Sequence, residues 1–148
     1  MSTPEENKAL VRRFFEEVLN QGNIALVDEL FAPGYEVRSG PGAGAPPGPG
    51  AARLAAIELR TGVPYAHYTI EDLIAEGDRV VVRRVMQGTH SGTFQGIPAT
   101  GKRVRVPCID IYRLAADKIA ERRTISDQLG LRQQLGVIGT KSSTQGEQ

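Results

Sequence analysis

The sequence predicts an α+β fold, with helices gathered at the front of the chain and packed on one face of a strongly curved, mostly antiparallel sheet. Three observations carry this. Apolar residues repeat at helical spacing in three stretches between Thr3 and Thr61; alternating, β-branched runs recur between Tyr65 and Ser126; and two of the turns joining those runs, at Gly77 and Asp117, are short enough for hairpins. A curved sheet closed by helices leaves a cone-shaped cavity, the usual place for a small ligand.

Thr3-Pro4-Glu5-Glu6 has the pattern of a capping box with Pro at the first helical position. Leu10, Val11, Phe14, Phe15, Val18 and Leu19 then form one apolar stripe until Gly22. Asn23 is placed to cap a shorter helix carrying Val27, Leu30 and Phe31, ended by Pro33-Gly34. Tyr35 to Ser39 reads as a short strand. Gly40 to Gly50 holds only Gly, Pro and Ala, so it is a loop, either a lip over a pocket or a surface insertion. Ala51 to Thr61 is a third helix, stopped by Gly62.

Glu76-Gly77-Asp78 turns the first strand of a hairpin into a second that runs to about His90. Ser91 to Gly101 is a long connection. A third strand covers Val104 to Leu114, with Pro107 expected at a bulge or an edge. The turn Ala116-Asp117-Lys118 leads into a fourth strand, Lys118 to Ser126, and a last helix, Gln128 to Leu135. One domain over residues 1–136 accounts for the pattern, and Val137 to Gln148 reads as a polar, disordered tail.

Eighteen basic and 17 acidic side chains leave a formal net charge of +1, which gives no footprint for nucleic acid. One cysteine, Cys108, excludes an internal disulfide and a thiolate zinc cluster, and His67 and His90 are far apart, so no metal site is expected. Met1–Asn20 carries charges throughout, against a signal peptide or membrane span, and the expected setting is cytoplasmic.

Alternation nominates the cavity residues. Val80, Val82, Arg84, Met86 and Gly88 share a strand face, and Asp127 shares parity with Ile125, Arg123 and Glu121. If those faces point inward, the cavity holds Asp127, His90, Arg84 and Arg123. Cys108, Asp110 and Tyr112 share another face, making Asp110 either a second pocket carboxylate or a solvated one. Asp127, at a strand end before a helix, is either a proton-transferring group or simply the helix N-cap.

The strings F-F-E-E-V-L-N-Q-G-N, D-E-L-F-A-P-G-Y, G-T-H-S-G-T-F-Q-G-I-P-A-T-G-K, I-D-I-Y-R-L and D-Q-L-G-L-R-Q-Q-L-G closely resemble the SnoaL-like polyketide cyclase (ester cyclase) family, within the nuclear-transport-factor-like, ketosteroid-isomerase-like superfamily. The resemblance spans Asn7 to Gly136. It implies a cone-shaped α+β barrel, a homodimer formed through the sheet, and no metal or organic cofactor. It further implies a small-molecule substrate, closed into a ring by intramolecular aldol condensation. Asp127 matches the family's catalytic Asp and His90 its pocket His. The substrate-binding candidates are then Arg84, Arg123, Arg38, Tyr35, Asp110, Tyr112, Phe15 and Met86.

Arg38, Arg84 and Arg123 stand where many members of that family have His, Trp and an aromatic residue. The arginines suit an anionic or enolate-bearing substrate, or an ion pair with Asp127 that weakens it as a base. Three activities stay open: a cyclase or isomerase using Asp127 as acid/base, an epoxide hydrolase using Asp110, Asp127 and an arginine, and a ligand-binding module without catalysis.

Overall fold

A computed structural model describes residues 2–138, so the expected tail lies outside the described residues beyond Ile138. Helix α1, Pro4–Arg13, opens with the anticipated box: Thr3 Oγ1 accepts the Glu6 N–H at 3.1 Å, and Glu6 Oε1 accepts the Thr3 N–H at 2.9 Å. The helix then widens into a π-helix, Phe14–Asn20, which buries Phe14, Phe15, Val18 and Leu19 together. Its last residue clasps the edge of the sheet, since the Asn20 amide accepts from Tyr68 N and donates to Tyr68 O at 2.7 and 3.0 Å.

A 3₁₀ turn, Ile24–Leu26, and the single-turn helix α2, Val27–Leu30, follow, and Asn23 makes no side-chain cap bond. Strand β1 then starts at Phe31 rather than Tyr35 and runs Phe31–Ser39. Pro33 and Gly34 are tolerated inside it because β1 is an edge strand whose register against β5 slips between Phe31 and Glu36, where no ladder bond is required. After the Gly/Pro loop, α3 spans Gly50–Gly62.

The remaining strands are β2 His67–Glu76, β3 Arg79–Thr89, β4 Arg103–Ala115 and β5 Lys118–Ser126, and α4 is Gln128–Leu135. The sheet runs β1-β5-β4-β3-β2, antiparallel except for the parallel β1–β5 pair, and it is open at β1 and β2. The core lies between its inner face and the helices, around Phe14, Phe15, Phe31, Tyr35 and Tyr112, whose rings meet edge to face.

Two details of β4 and β5 decide what the cavity contains. Pro107 sits in mid-strand on central β4, opposite Val85 in an unbroken register, contrary to the bulge or edge expected for it. Its backbone faces the end of β5, where its carbonyl accepts Asp127 N–H at 3.1 Å while the Asp127 carbonyl is committed to Leu131 N–H in α4. The N–H that proline lacks would therefore have no ladder partner there. On β5, a register shift near Ala120 pairs Tyr112, Asp110 and Cys108 with Arg122, Thr124 and Ser126. Those three face inward, and Glu121, Arg123 and Ile125 face outward, reversing the parity read from the sequence.

Candidate active site

Asp110 and Arg84 form the inner end of the cone. Asp110 is wholly buried and accepts Arg84 Nε at 2.5 Å, Arg84 Nη2 at 3.1 Å, Thr124 Oγ1 at 2.6 Å and the Tyr112 hydroxyl at 3.4 Å. The guanidinium lies against the rings of Tyr68 and Phe15, 4.8 and 5.4 Å from their centres. Burial opposes the Arg84 charge, but Asp110 outweighs it and holds the guanidinium protonated above its ordinary range. Nη1 of Arg84 has no protein partner among the described residues, and the side chain lines the cavity.

The cavity encloses about 160 Å³ and opens into a groove of about 520 Å³ between Gly40, Pro41 and Gly42 on one side and Glu58, Gln95, Ser126 and Gln128 on the other. Its walls are Leu54, Ala55 and Leu59 of α3, Met86, Val106, Cys108 and Leu131, with Tyr68, Arg122 and Thr124 as polar points. Pro41, Gly42 and Ala45 contribute to them, so the Gly/Pro loop is a cavity wall and not a detached insertion. Gly40 lets that loop touch β5: its φ is +91°, and a Cβ there would meet the Thr124 carbonyl oxygen at 2.7 Å. Burial pushes the Tyr68 phenol and the Cys108 thiol up, against the pull of Arg84.

The sequence candidates divide. Arg84, Met86 and, beneath them, Asp110 are brought together; Phe15 supports the Arg84 guanidinium, and Tyr112 supports Asp110 from within the core. Tyr35 is packed on Phe31, away from the cavity lining. Arg123 and Arg38 are not in the cavity: both bind Glu121 on the outer face, at 3.3 and 2.9 Å, Arg123 because the β5 shift turns it outward and Arg38 because it alternates with inward-packed Val37 on β1. Arg113 joins them, and these partners draw the Glu121 carboxyl down to about 2.

His90 is 1% exposed and does not line the cavity. Its Nε2 donates to the Ile97 carbonyl at 3.1 Å, and Nδ1 accepts from Thr100 Oγ1 at 2.9 Å, which staples the 91–101 connection to β3. Asp127 is exposed and caps α4, accepting Gly130 N–H on Oδ1 at 2.8 Å. Asp127 itself lines neither the cavity nor the groove, where parity would have put it inside; its neighbours Ser126 and Gln128 line both, and Oδ2 makes no hydrogen bond among the described residues. Gly130 makes room for this carboxylate, since a Cβ there would meet Asp127 Oδ2 at 2.1 Å. Arg122, Thr124, Ser126 and Glu58 were not anticipated from the sequence; the first three have the signal of sharing cross-strand pairs with Tyr112, Asp110 and Cys108.

An open α+β cone whose apolar cavity ends in a buried, carboxylate-held guanidinium has the form of a small-ligand site. The sequence model of the SnoaL-like polyketide cyclase family matches residues 9–135, and the chain belongs to that family. Its fold is similar to TsrD from Streptomyces laurentii (TM-score 0.84, 29% identity, 93% of this chain and 100% of that one). It is also similar to a SnoaL-like protein from Jannaschia sp. CCS1 that carries a provisional assignment as a polyketide cyclase (0.82, 26%, 94% and 99%). IdmH from Streptomyces antibioticus, with the same provisional assignment, aligns at TM-score 0.74 and 28% identity over 88% of this chain and 98% of that one. No curated protein matches the sequence. No helix among the described residues is long and apolar enough to cross a membrane.

Proposed function

We propose that this protein closes a ring in a polyketide or related carbonyl-rich intermediate by an aldol-type condensation, without a cofactor. The observation that carries the reading is the unpartnered Nη1 of Arg84 at the inner end of an otherwise apolar cavity. An enolate oxygen is the group such a nitrogen serves best, because its charge develops during reaction and the guanidinium is already held rigid by Asp110. Asp127 acts from beside the mouth, between the lining residues Ser126 and Gln128. Its carboxylate takes the proton from the carbon alpha to the carbonyl; the resulting enolate carbon attacks a second carbonyl, a C–C bond forms as that C=O π bond opens, and the alkoxide takes the proton back from Asp127 to become a hydroxyl. The cavity walls contribute by holding the two carbons together and excluding water.

Epoxide opening by two aspartates and an arginine is less well supported. The groups on Asp110 are Arg84, Thr124 and Tyr112, with no second carboxylate among them. The test is cyclisation of an aromatic polyketide substrate, offered both as its acid and as its ester, by purified variants. Asp127→Asn is expected to fold and to lose on the order of 10²- to 10⁴-fold in rate, while Glu76→Gln, exposed at the end of β2 and away from the cavity, retains the rate. Full activity in Asp127→Asn would overturn the assignment of the base.

A further inference from the structure

Arg84 is neutralised by Asp110, but the second guanidinium in the cavity is not neutralised. Arg122 lines the same cavity and takes part in no ion pair among the described residues. Its Nη2 donates to the Pro41 carbonyl, the Tyr35 hydroxyl lies close to the guanidinium, and its buried Nε has no partner among the described residues. A buried donor left unmade costs about 1–3 kcal/mol, more when the group is charged. Ser126 adds another donor to this wall, because its oxygen already accepts from Gln128 Nε2 at 2.7 Å and its hydroxyl hydrogen remains unassigned. The side of the cavity formed by β3 and β5 therefore offers donors and one uncompensated positive charge. The carboxylate that lines the cavity, Glu58, stands at the mouth, where it accepts Gln95 N–H.

We propose that the natural substrate carries a free carboxylate, that Arg122 is the residue that selects it, and that the enzyme therefore acts on acids in preference to their esters. The carboxylate oxygens meet the cavity-lining edge of the Arg122 guanidinium and Ser126 Oγ, and the monoanion matches the single guanidinium without an ion-pair partner; a phosphate dianion would leave a surplus charge in an apolar site. The carbonyl to be enolised then falls to Arg84. This places the two guanidiniums in separate roles, one for substrate selection and one for the developing charge. The inference rests on reading the cavity as the substrate site, but not on Asp127 as the base.

Binding measured without turnover tests it, using 2-naphthoate and methyl 2-naphthoate as a matched pair titrated into the intact protein by calorimetry. The wild type is expected to bind the acid about tenfold or more tightly than the ester. In Arg122→Gln the acid should weaken to the level of the ester while the ester itself is unchanged, and Arg122→Lys should keep part of the preference. Equal affinity of the wild type for acid and ester overturns the proposal and leaves the cyclase reading standing, and this comparison needs no variant to fold. An acid preference that persists undiminished in a folded Arg122→Gln overturns the role of Arg122. Failure of both compounds to bind overturns the proposal and the cavity reading together.

Discussion

Replacing Asp110 by Asn exposes how much of this fold depends on one buried ion pair. The side chains of Arg84 and Asp110 are 8% and 0% exposed, and Asp110 takes both guanidinium bonds at 2.5 and 3.1 Å. Asn keeps the shape but removes the charge and turns one acceptor into a donor that faces donors. At an effective dielectric of about 20, the lost attraction across roughly 4 Å is about 4 kcal/mol, in line with the 3–5 kcal/mol typical when one partner of a buried pair is removed. With a urea slope of about 2 kcal/mol/M, the unfolding midpoint should fall by about 2 M. The double variant Arg84→Met/Asp110→Leu removes both charges and should return to within about 1–2 kcal/mol of the wild type. A loss below about 1 kcal/mol in Asp110→Asn, or a double variant as unstable as the sum of the singles, would refute the reasoning.

Glu121 supplies a pH signature. Its folded carboxyl, drawn down to about 2 by Arg113 and Arg38, titrates below the unfolded value, so its contribution is present above about pH 4.5 and is lost as the pH falls from there toward 2. Its arginine partners are part-exposed, so the contribution is roughly 1 kcal/mol; Glu121→Gln should be less stable than wild type at pH 7, with the gap in urea midpoints closing by about pH 2–3, and a pH-independent gap would contradict this. Gly130→Ala gains up to about 1 kcal/mol of helix propensity and loses about 1 kcal/mol of cap. Its melting temperature should therefore barely move, while the cyclisation rate falls because the new Cβ displaces the Asp127 carboxylate. Ile109 and Ile125 are cross-strand partners on the outer face, 49% and 78% exposed, with Ile111 beside them, and we propose that a second copy covers them. Light scattering of Ile125→Asp should then report a monomer where the wild type is a dimer.

Most of the scaffold was legible in the sequence because its signals are local. The Thr3–Glu6 box, the Gly77 turn and the alternation of β4 each act within a few residues, and each is found where the pattern put it. The cavity was only half legible. A two-residue turn at Ala116-Asp117 with no bulge would pair Asp110 with Arg123 and turn Arg123 inward; the extra residue at Ala120 shifts the register by one and brings Thr124 and Arg122 there instead. That one residue sent Arg123 to the outer face with Glu121 and concealed Arg122, whereas Arg38 reaches that face from β1, next to inward-packed Val37. Nothing local announces such a bulge, because it is set by how β5 must curve between β4 and the parallel edge strand β1. For His90, the G-T-H-S-G string was visible, but its partners Ile97 and Thr100 come from the fold of a connection that periodicity does not describe.

The central claim is that a proton leaves the substrate carbon to Asp127 while Arg84 steadies the enolate. Hydrogen–deuterium exchange tests it directly, on an aryl ketone acid that can enolise at one carbon but has no second ketone or aldehyde to attack. Mass spectrometry of the compound after incubation in D₂O should show exchange accelerated by the wild type and reduced by about 10²-fold or more with Asp127→Asn. Exchange that proceeds equally in both proteins, or a bound compound that the wild type does not exchange, would contradict the account.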